Sequence, residues 1–169
     1  MTIRARWLPL LVAVCVIVAD RLSKLWIEHS LNTFDSISVI PRLFRIVHTE
    51  NPGAAFGFLA DGNAFVRAIV LIGVSAIVLF FVASALWSHR STFTAHLSRF
   101  GLALILGGAI GNLLDRVLRG TVTDFLEIYQ GSWSFPAFNV ADSAITVGAV
   151  LVLIEMLRPR HKTACTQNS

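Results

Sequence analysis

The sequence is short of charge. Only 14% of its 169 residues are Asp, Glu, Lys or Arg, against 55% hydrophobic, where a soluble domain carries about 25% charged and about 45–50% apolar residues. Too few polar side chains remain to cover a water-facing surface, and a chain this apolar is not intrinsically disordered. Cysteine is nearly absent: Cys15 lies in an apolar run and Cys165 in a polar tail, which gives no disulfide framework. The five histidines (29, 48, 89, 96 and 161) form no H-E-x-x-H pair and no ligand cluster, so neither a metal nor another cofactor is expected. A G-x-S-x-G elbow and a Walker loop are both missing, which removes the usual serine-hydrolase and nucleotide signatures. Lysine occurs only at positions 24 and 162. A Ser–Lys dyad would need Lys24, whose neighbour Ser23 points to a different helical face.

What the chain has instead is long uncharged runs. Four of them predict helical membrane spans over about residues 7–27, 68–88, 97–118 and 136–157. About 20 residues cross a bilayer, and backbone in lipid must satisfy its hydrogen bonds within its own segment. The first run is uncharged only from Trp7 to Ala19. It reaches span length by continuing through Asp20 and Lys24 with those charges turned toward protein. Arg4 and Arg6 ahead of an apolar run also fit a signal peptide. The run leads into Asp20-Arg21-Leu22-Ser23-Lys24 instead of a small-residue cleavage site, so it is read as a retained span. The expected architecture is an all-α polytopic membrane protein, one domain over 1–169.

The net charge of +4 does not call for a nucleic acid, because the charge is sorted by side. The N-terminal tail, the loop near residues 89–96 and the C-terminal tail hold seven basic residues and one acid, a balance of +6; the remaining segments hold seven basic residues and nine acids, a balance of −2. Positive charge stays inside, which places both termini in the cytoplasm and the segments of about 28–65 and 119–138 outside. The first outer segment is rich in β-branched and aromatic residues, with turn signals at Pro41 and Asn51-Pro52-Gly53. It predicts short strands against the membrane. Residues 120–129 alternate in part and predict a further strand.

Ionisable groups at membrane depth each cost about 2.5–3.5 kcal/mol on insertion scales, yet Asp20, Lys24, Asp115, Arg116, Asp124 and Asp142 gather at the outer ends of the spans. Asp20 and Lys24 are four apart on one helical face and suit a structural ion pair. In the run Gly107 to Arg116, Gly107 and Gly111 form a G-x-x-x-G pair for close helix packing. Gly108, Asn112 and Asp115 fall near one stripe, and Asn112 and Arg116 suit either a polar helix end or a site. Asp124 and Asp142 are the pair of greatest interest. Read singly, Asp124 is an exposed loop acid, and Asp142 is an acid at the third helical position behind an Asn139 cap. Read together, they are two carboxylates that share one proton. The ionised one takes a proton from water and the protonated one donates to a peptide carbonyl and then to the leaving nitrogen.

Five stretches carry a family resemblance: Asp20 to Lys24, Asn51 to Phe56, Gly107 to Arg116, Val122 to Phe125 and Phe138 to Asp142. In this order and at these depths, the sequence resembles the bacterial lipoprotein signal peptidases, or signal peptidase II. The resemblance implies an aspartic endopeptidase that cleaves diacylglyceryl-modified prolipoproteins just before the lipidated cysteine, at the periplasmic face of the inner membrane. It implies Asp124 and Asp142 as the catalytic pair. It implies Asn51, Gly53, Asn112, Arg116, Val122, Asn139 and Ala141 as residues lining or supporting the site, and Asp20, Lys24, Gly108, Asp115 and Phe138 as structural or supporting positions. It also implies four transmembrane helices with a small extracytoplasmic β-cradle and a short interfacial helix, contact with membrane lipids, and inhibition by the cyclic peptide globomycin. Gly57 departs from the serine many relatives carry there. Ile46, Val47, Phe56 and Phe58 are expected to cover the peptide, and the 34–58 segment to move as substrate is admitted.

Two other classes fit the composition. One is a small transporter or channel with Asp20, Lys24, Asp115 and Arg116 along a polar path, although transporter sites usually lie near the midplane. The other is a non-catalytic membrane assembly factor. The peptidase reading predicts that a chelator leaves cleavage of a lipidated prolipopeptide intact. Loss of turnover on chelation, restored by added metal, would reject it.

Overall fold

The structure, a computed structural model, describes residues 4–53, 63–87 and 96–158. Four helices and four strands follow in the order α1 (Arg4–Ser30), β1 (Ser36–Ile40), β2 (Phe44–Asn51), α2 (Ala64–Trp87), α3 (His96–Arg119), β3 (Val122–Gln130), β4 (Trp133–Ser134) and α4 (Val140–Leu157). The helices α2, α3 and α4 are long and apolar enough to cross a membrane. The fourth apolar run begins its helix at Val140, not Pro136, because Asn139 caps it; Pro136 to Phe138 run extended beside β3. Phe56, Gly57 and Phe58, the loop at 89–95 and the tail from 159 lie outside the described residues. Among the described residues no separate short helix accompanies the sheet.

Helix α1 explains how a charged segment can stand among apolar ones. Trp7, Leu8, Leu11, Val14, Val18, Leu22, Leu25 and Trp26 are exposed, whereas Asp20 and Lys24 are buried. The i, i+4 spacing puts both charges on the inner face. Helix α3 is the hub and packs on α1, α2 and α4. Its glycines divide the work by direction. A Cβ on Gly107 would stand 2.7 Å from the Ala13 carbonyl oxygen, and one on Gly111 2.8 Å from Asp20 Oδ2, both on α1. A Cβ on Gly108 would strike the Ala141 carbonyl oxygen, and one on Gly101 would stand 2.6 Å from the Gly148 carbonyl oxygen, both on α4. The expected G-x-x-x-G face therefore receives α1, while α4 is received by Gly101 and Gly108, with Gly148 on the α4 side.

Gly120 ends α3. Its φ of +79° is open to glycine, and its N–H reaches back to the Arg116 carbonyl at 3.1 Å, a left-handed helix stop that turns the chain into β3. The sheet is antiparallel in the order β1-β2-β3-β4; the expected strands in 34–58 and 120–129 are present, and β4 is an addition. Ile46 pairs with Leu126 but Thr49 pairs with Asp124, so three steps on β2 oppose two on β3. That extra residue is a bulge, a device that re-aims side chains.

The packing predicts opposite outcomes for two glycines. Gly73 on α2 has open space around its Cβ direction, so Gly73→Ala should be neutral or stabilise by up to about 1 kcal/mol from helix propensity. Gly108→Ala should destabilise by roughly 1–3 kcal/mol through overpacking against α4. Thermal unfolding in detergent checks both.

Candidate active site

Asp124 arrives on β3 and Asp142 on α4, and a backbone bridge joins those elements. The Phe138 carbonyl accepts from the N–H of Leu126 at 2.8 Å and of Phe125 at 3.0 Å, and the Phe138 N–H donates to the Leu126 carbonyl at 2.9 Å. The segment ahead of α4 is thus stitched to the strand two residues beyond Asp124. Asn139 then starts the helix in a capping box: its Oδ1 accepts from the Asp142 N–H at 2.9 Å, and its own N–H donates to Asp142 Oδ2 at 3.2 Å. This satisfies two helix-terminal donors reciprocally. It also fixes the Asp142 carboxylate in direction.

Every carboxylate oxygen of the pair accepts a hydrogen bond. Asn139 Nδ2 donates to Asp124 Oδ1 at 2.7 Å and Asn51 Nδ2 to Asp124 Oδ2 at 3.0 Å. Asn112 Nδ2 donates to Asp142 Oδ1 at 2.7 Å. Each amide is oriented by a donor at its other end. Asn51 Oδ1 takes the Gly53 N–H at 2.9 Å, Asn139 Oδ1 takes the Asp142 N–H, and Asn112 Oδ1 takes Lys24 Nζ at 3.1 Å. With the oxygens committed to donors, the NH2 groups can only face the carboxylates. Asn51 reaches Asp124 because it pairs with Val122, which makes Asp124 its diagonal neighbour on one face of the sheet.

Asp124 is 3% exposed. Burial, and after it the Asp142 charge, push its carboxyl up from 3.8 to about 6, against the opposing pull of the Asn51 and Asn139 amides. The reading of Asp124 taken singly, as an exposed loop acid, does not hold: it is buried within β3. Its neighbours Thr123 and Phe125 are buried as well, and the Thr49 hydroxyl donates to the Asp124 carbonyl at 3.1 Å.

Both carboxylates line one cavity of about 910 Å³, with Asn51, Asn112, Arg116 and Val122 on its wall. Its apolar lining comes from Val74 and Val78 of α2, Ala109 of α3 and Ile145 and Val147 of α4. The Arg116 side chain donates from Nη2 to the Gly53 carbonyl at 3.1 Å and from Nη1 to the Asn112 carbonyl at 3.3 Å, so it anchors the turn after β2 to α3. Asn139 and Ala141 are fully buried and act from behind the wall. Ile46 is half-buried and Val47 buried; Ile128 and Phe135 line the cavity on the sheet side instead.

Behind Asn112 lies an ionic cluster. Lys24 Nζ stands 2.7 Å from Asp20 Oδ2 and 2.7 Å from Asp115 Oδ2, and Arg21 donates to Asp115 Oδ1 at 3.0 Å. Asp20 Oδ1 accepts the Ala141 N–H at 2.9 Å, tying α1 to the first turn of α4. Asp20, Lys24 and Asp115 are sealed inside protein, which removes the polar path that a channel would need. Sequence reasoning assigned no role to Arg21, Thr49 or Thr123. The Thr123 carbonyl accepts from Asn139 at 3.4 Å and its hydroxyl donates to Glu28 at 3.0 Å.

Residues 12–158 match the family described as Signal peptidase (SPase) II. The lipoprotein signal peptidase of Solibacter usitatus is 43% identical over 159 residues, covering 94% of this chain and 96% of that one. That of Pseudomonas fluorescens is 44% identical, covering 93% and 90%. A solved bacterial membrane enzyme superposes with a TM-score of 0.80 at 28% identity, over 95% of this chain and 94% of its own.

Because the Asp124 carboxyl holds its proton to about pH 6 when folded and releases it near 3.8 when unfolded, the folded state binds the extra proton between those values. Stability should therefore fall as pH rises from about 4 through about 6, by roughly 3 kcal/mol from this group. Thermal unfolding against pH checks it, and Asp124→Asn should flatten that slope.

Proposed function

The chain belongs to the signal peptidase II family and is a membrane protease that removes signal peptides from prolipoproteins; on that premise we propose that it works as an aspartic endopeptidase through Asp124 and Asp142. The observation that carries the reading is the meeting of the two carboxylates on one cavity wall, with each of their oxygens held by a donor.

The chemistry follows from the unequal environments. Asp124 is the reluctant anion, since burial and the Asp142 charge both favour its protonated form. A water between the pair loses a proton to the ionised carboxylate and attacks the scissile carbonyl carbon. The protonated carboxyl donates to the carbonyl oxygen as the tetrahedral carbon forms. When that carbon collapses, the C–N bond breaks, the proton taken from water passes to the leaving nitrogen, and a hydroxyl of the gem-diol returns its proton to the carboxylate that had donated, re-forming the carbonyl. The pair ends with one proton again. Asn51, Asn112 and Asn139 keep both carboxylates aimed at the cavity. Arg116 holds the Gly53 carbonyl and orders the peptide backbone along the wall.

The same reading sets the topology. Helix α1, with its apolar exposed stripe and inward charges, is the fourth span of a single domain over 1–169. Both termini are cytoplasmic by the positive-inside rule, and the site faces the periplasmic side of the inner membrane. The substrate is a diacylglyceryl-modified prolipoprotein, anchored in the outer leaflet so that the bond before the lipidated cysteine lies at the depth of the pair. The apolar wall from α2 and α4 receives its lipid and signal helix. Globomycin, a lipophilic cyclic peptide, is expected to compete for the same cavity.

Asp124→Asn and Asp142→Asn should each lower turnover of a diacylglyceryl-modified prolipopeptide by at least about 10³-fold, as loss of a reacting group does, while the protein still inserts and binds globomycin. Turnover near wild type in either variant would reject the dyad.

A further inference from the structure

Lys24 is spent in a way that an ion pair alone does not explain. Its ammonium has three N–H donors and no acceptor. The ammonium lies 2.7 Å from both Asp20 Oδ2 and Asp115 Oδ2 as ion pairs, and it donates a hydrogen bond to Asn112 Oδ1 at 3.1 Å. Lys24 has no exposure to bulk solvent.

We propose that Lys24 is a positioning residue for the peptidase reaction: by committing the Asn112 oxygen, it forces the Asn112 NH2 toward Asp142. The inference rests on the aspartic dyad proposed above. An asparagine amide can turn about its terminal torsion and exchange its oxygen for its nitrogen. Turned over, Asn112 would aim an oxygen at the Asp142 carboxylate and oppose its ionised form. The ammonium prevents this, because a second donor cannot face it. Asn139 Nδ2 also approaches Asn112 Oδ1, at 3.2 Å. However, Asn139 takes its own direction from the Asp142 N–H, so its orientation is internal to the site. Lys24 takes its direction from Asp20 and Asp115, neither of which touches the dyad's oxygens. It therefore supplies the reference from outside; its charge also favours the ionised form of Asp124 through space, but its one hydrogen-bonded route to the dyad runs through Asn112.

The test removes the donor without stranding a charge. Lys24→Met alone would leave two buried carboxylates with Arg21 as their only cation, so it is combined with Asp20→Asn. Asn at position 20 keeps an acceptor for the Ala141 N–H, and Arg21 still pairs with Asp115. In D20N/K24M, kcat should fall about tenfold to hundredfold, as when partners behind a reacting group are removed. KM should stay within about twofold, because the cavity wall is unchanged. The acidic limb of the kcat–pH profile should move to higher pH, because a carboxylate that loses a donor is harder to ionise. In an Asn112→Ala background the same double substitution should change neither quantity further. A purely structural role would lower the unfolding temperature in both backgrounds and leave the acidic limb in place; a folded D20N/K24M with wild-type kcat and profile overturns the proposal. If D20N/K24M does not accumulate, Asn112→Asp decides: it keeps an acceptor for Lys24 and loses the donor to Asp142, and a wild-type profile there overturns the proposal equally. Asp124→Asn and Asp142→Asn are run alongside. Cleavage by either rejects the dyad itself, whereas two inactive dyad variants with an unaltered D20N/K24M profile reject the role of Lys24 alone.

Discussion

A fully buried ammonium needs counter-charge and oxygen around it, and Lys24 finds two carboxylates and one hydrogen-bond acceptor on α1 and α3. Isolated in a low-dielectric interior the charge would cost several kcal/mol, and removing one partner of such a group typically costs about 3–5 kcal/mol. This one requirement fixes several things at once. It sets the axial depth of α1 against α3. Through Asp20 Oδ1 and the Ala141 N–H it sets the depth of α4 as well. The small residues do the rest: Gly107 and Gly111 admit α1, and Gly101 and Gly108 admit α4. In lipid, helices gain nothing from leaving an apolar solvent, so close packing and polar contacts between them carry the association.

The two carboxylates are delivered by different kinds of structure, and that difference gives them different chemistry. Asp142 is placed by helix capping, where the Asn139 N–H and the Asn112 amide hold its two oxygens. Asp124 is placed by a strand, where burial and the first carboxylate oppose its charge. What keeps the pair together despite their repulsion is a set of three amides, each turned by a donor at its far end. The Phe138 bridge and the bulge between Ile46 and Thr49 bring the strand's Asp124 and Asn51 to the helix end. Helix depth and strand register thus converge on one cavity.

The parts legible in the sequence are those set by local rules. Long uncharged runs announced the helices; the four-residue step from Asp20 to Lys24 announced their pairing; Asn139 announced a helix cap with an acid three residues on, which the structure closes into a capping box. What was not legible depends on residues far apart in the chain. Asp124 reads as an exposed acid because its donors, Asn51 and Asn139, lie 73 and 15 residues away. Gly107 and Gly108 are adjacent, yet one turns to α1 and the other to α4, since neighbouring residues on a helix point about 100° apart. The sequence reveals their smallness but not their partners. The bulge in β2 breaks period-2 alternation, so Val47 is buried away from the cavity and Ile128, on the opposing strand, lines it. Arg21 lay within the resemblance to the family, but its partner Asp115 is 94 residues on.

Helix α2 leaves room for the cavity because it packs so little on the rest of the protein. Among its residues only Leu86 is buried, and its packing is on α3. In water a helix this apolar and this little covered would drive aggregation; in a bilayer the lipid covers it at no cost. Contact with α3 alone is then sufficient, and α2 is free to stand apart from α4. The cavity occupies that space, with Val74 and Val78 on one side and Thr146 and Val147 on the other. A substrate held in the outer leaflet by two acyl chains, as proposed above, reaches the carboxylates by moving sideways. Its apolar parts stay in an apolar medium throughout, and the bond to be cut is the only polar segment that has to be desolvated. The amides around Asp124 and Asp142 are already in place before that happens, so the polar groups of the enzyme need no reorganisation at the moment of reaction.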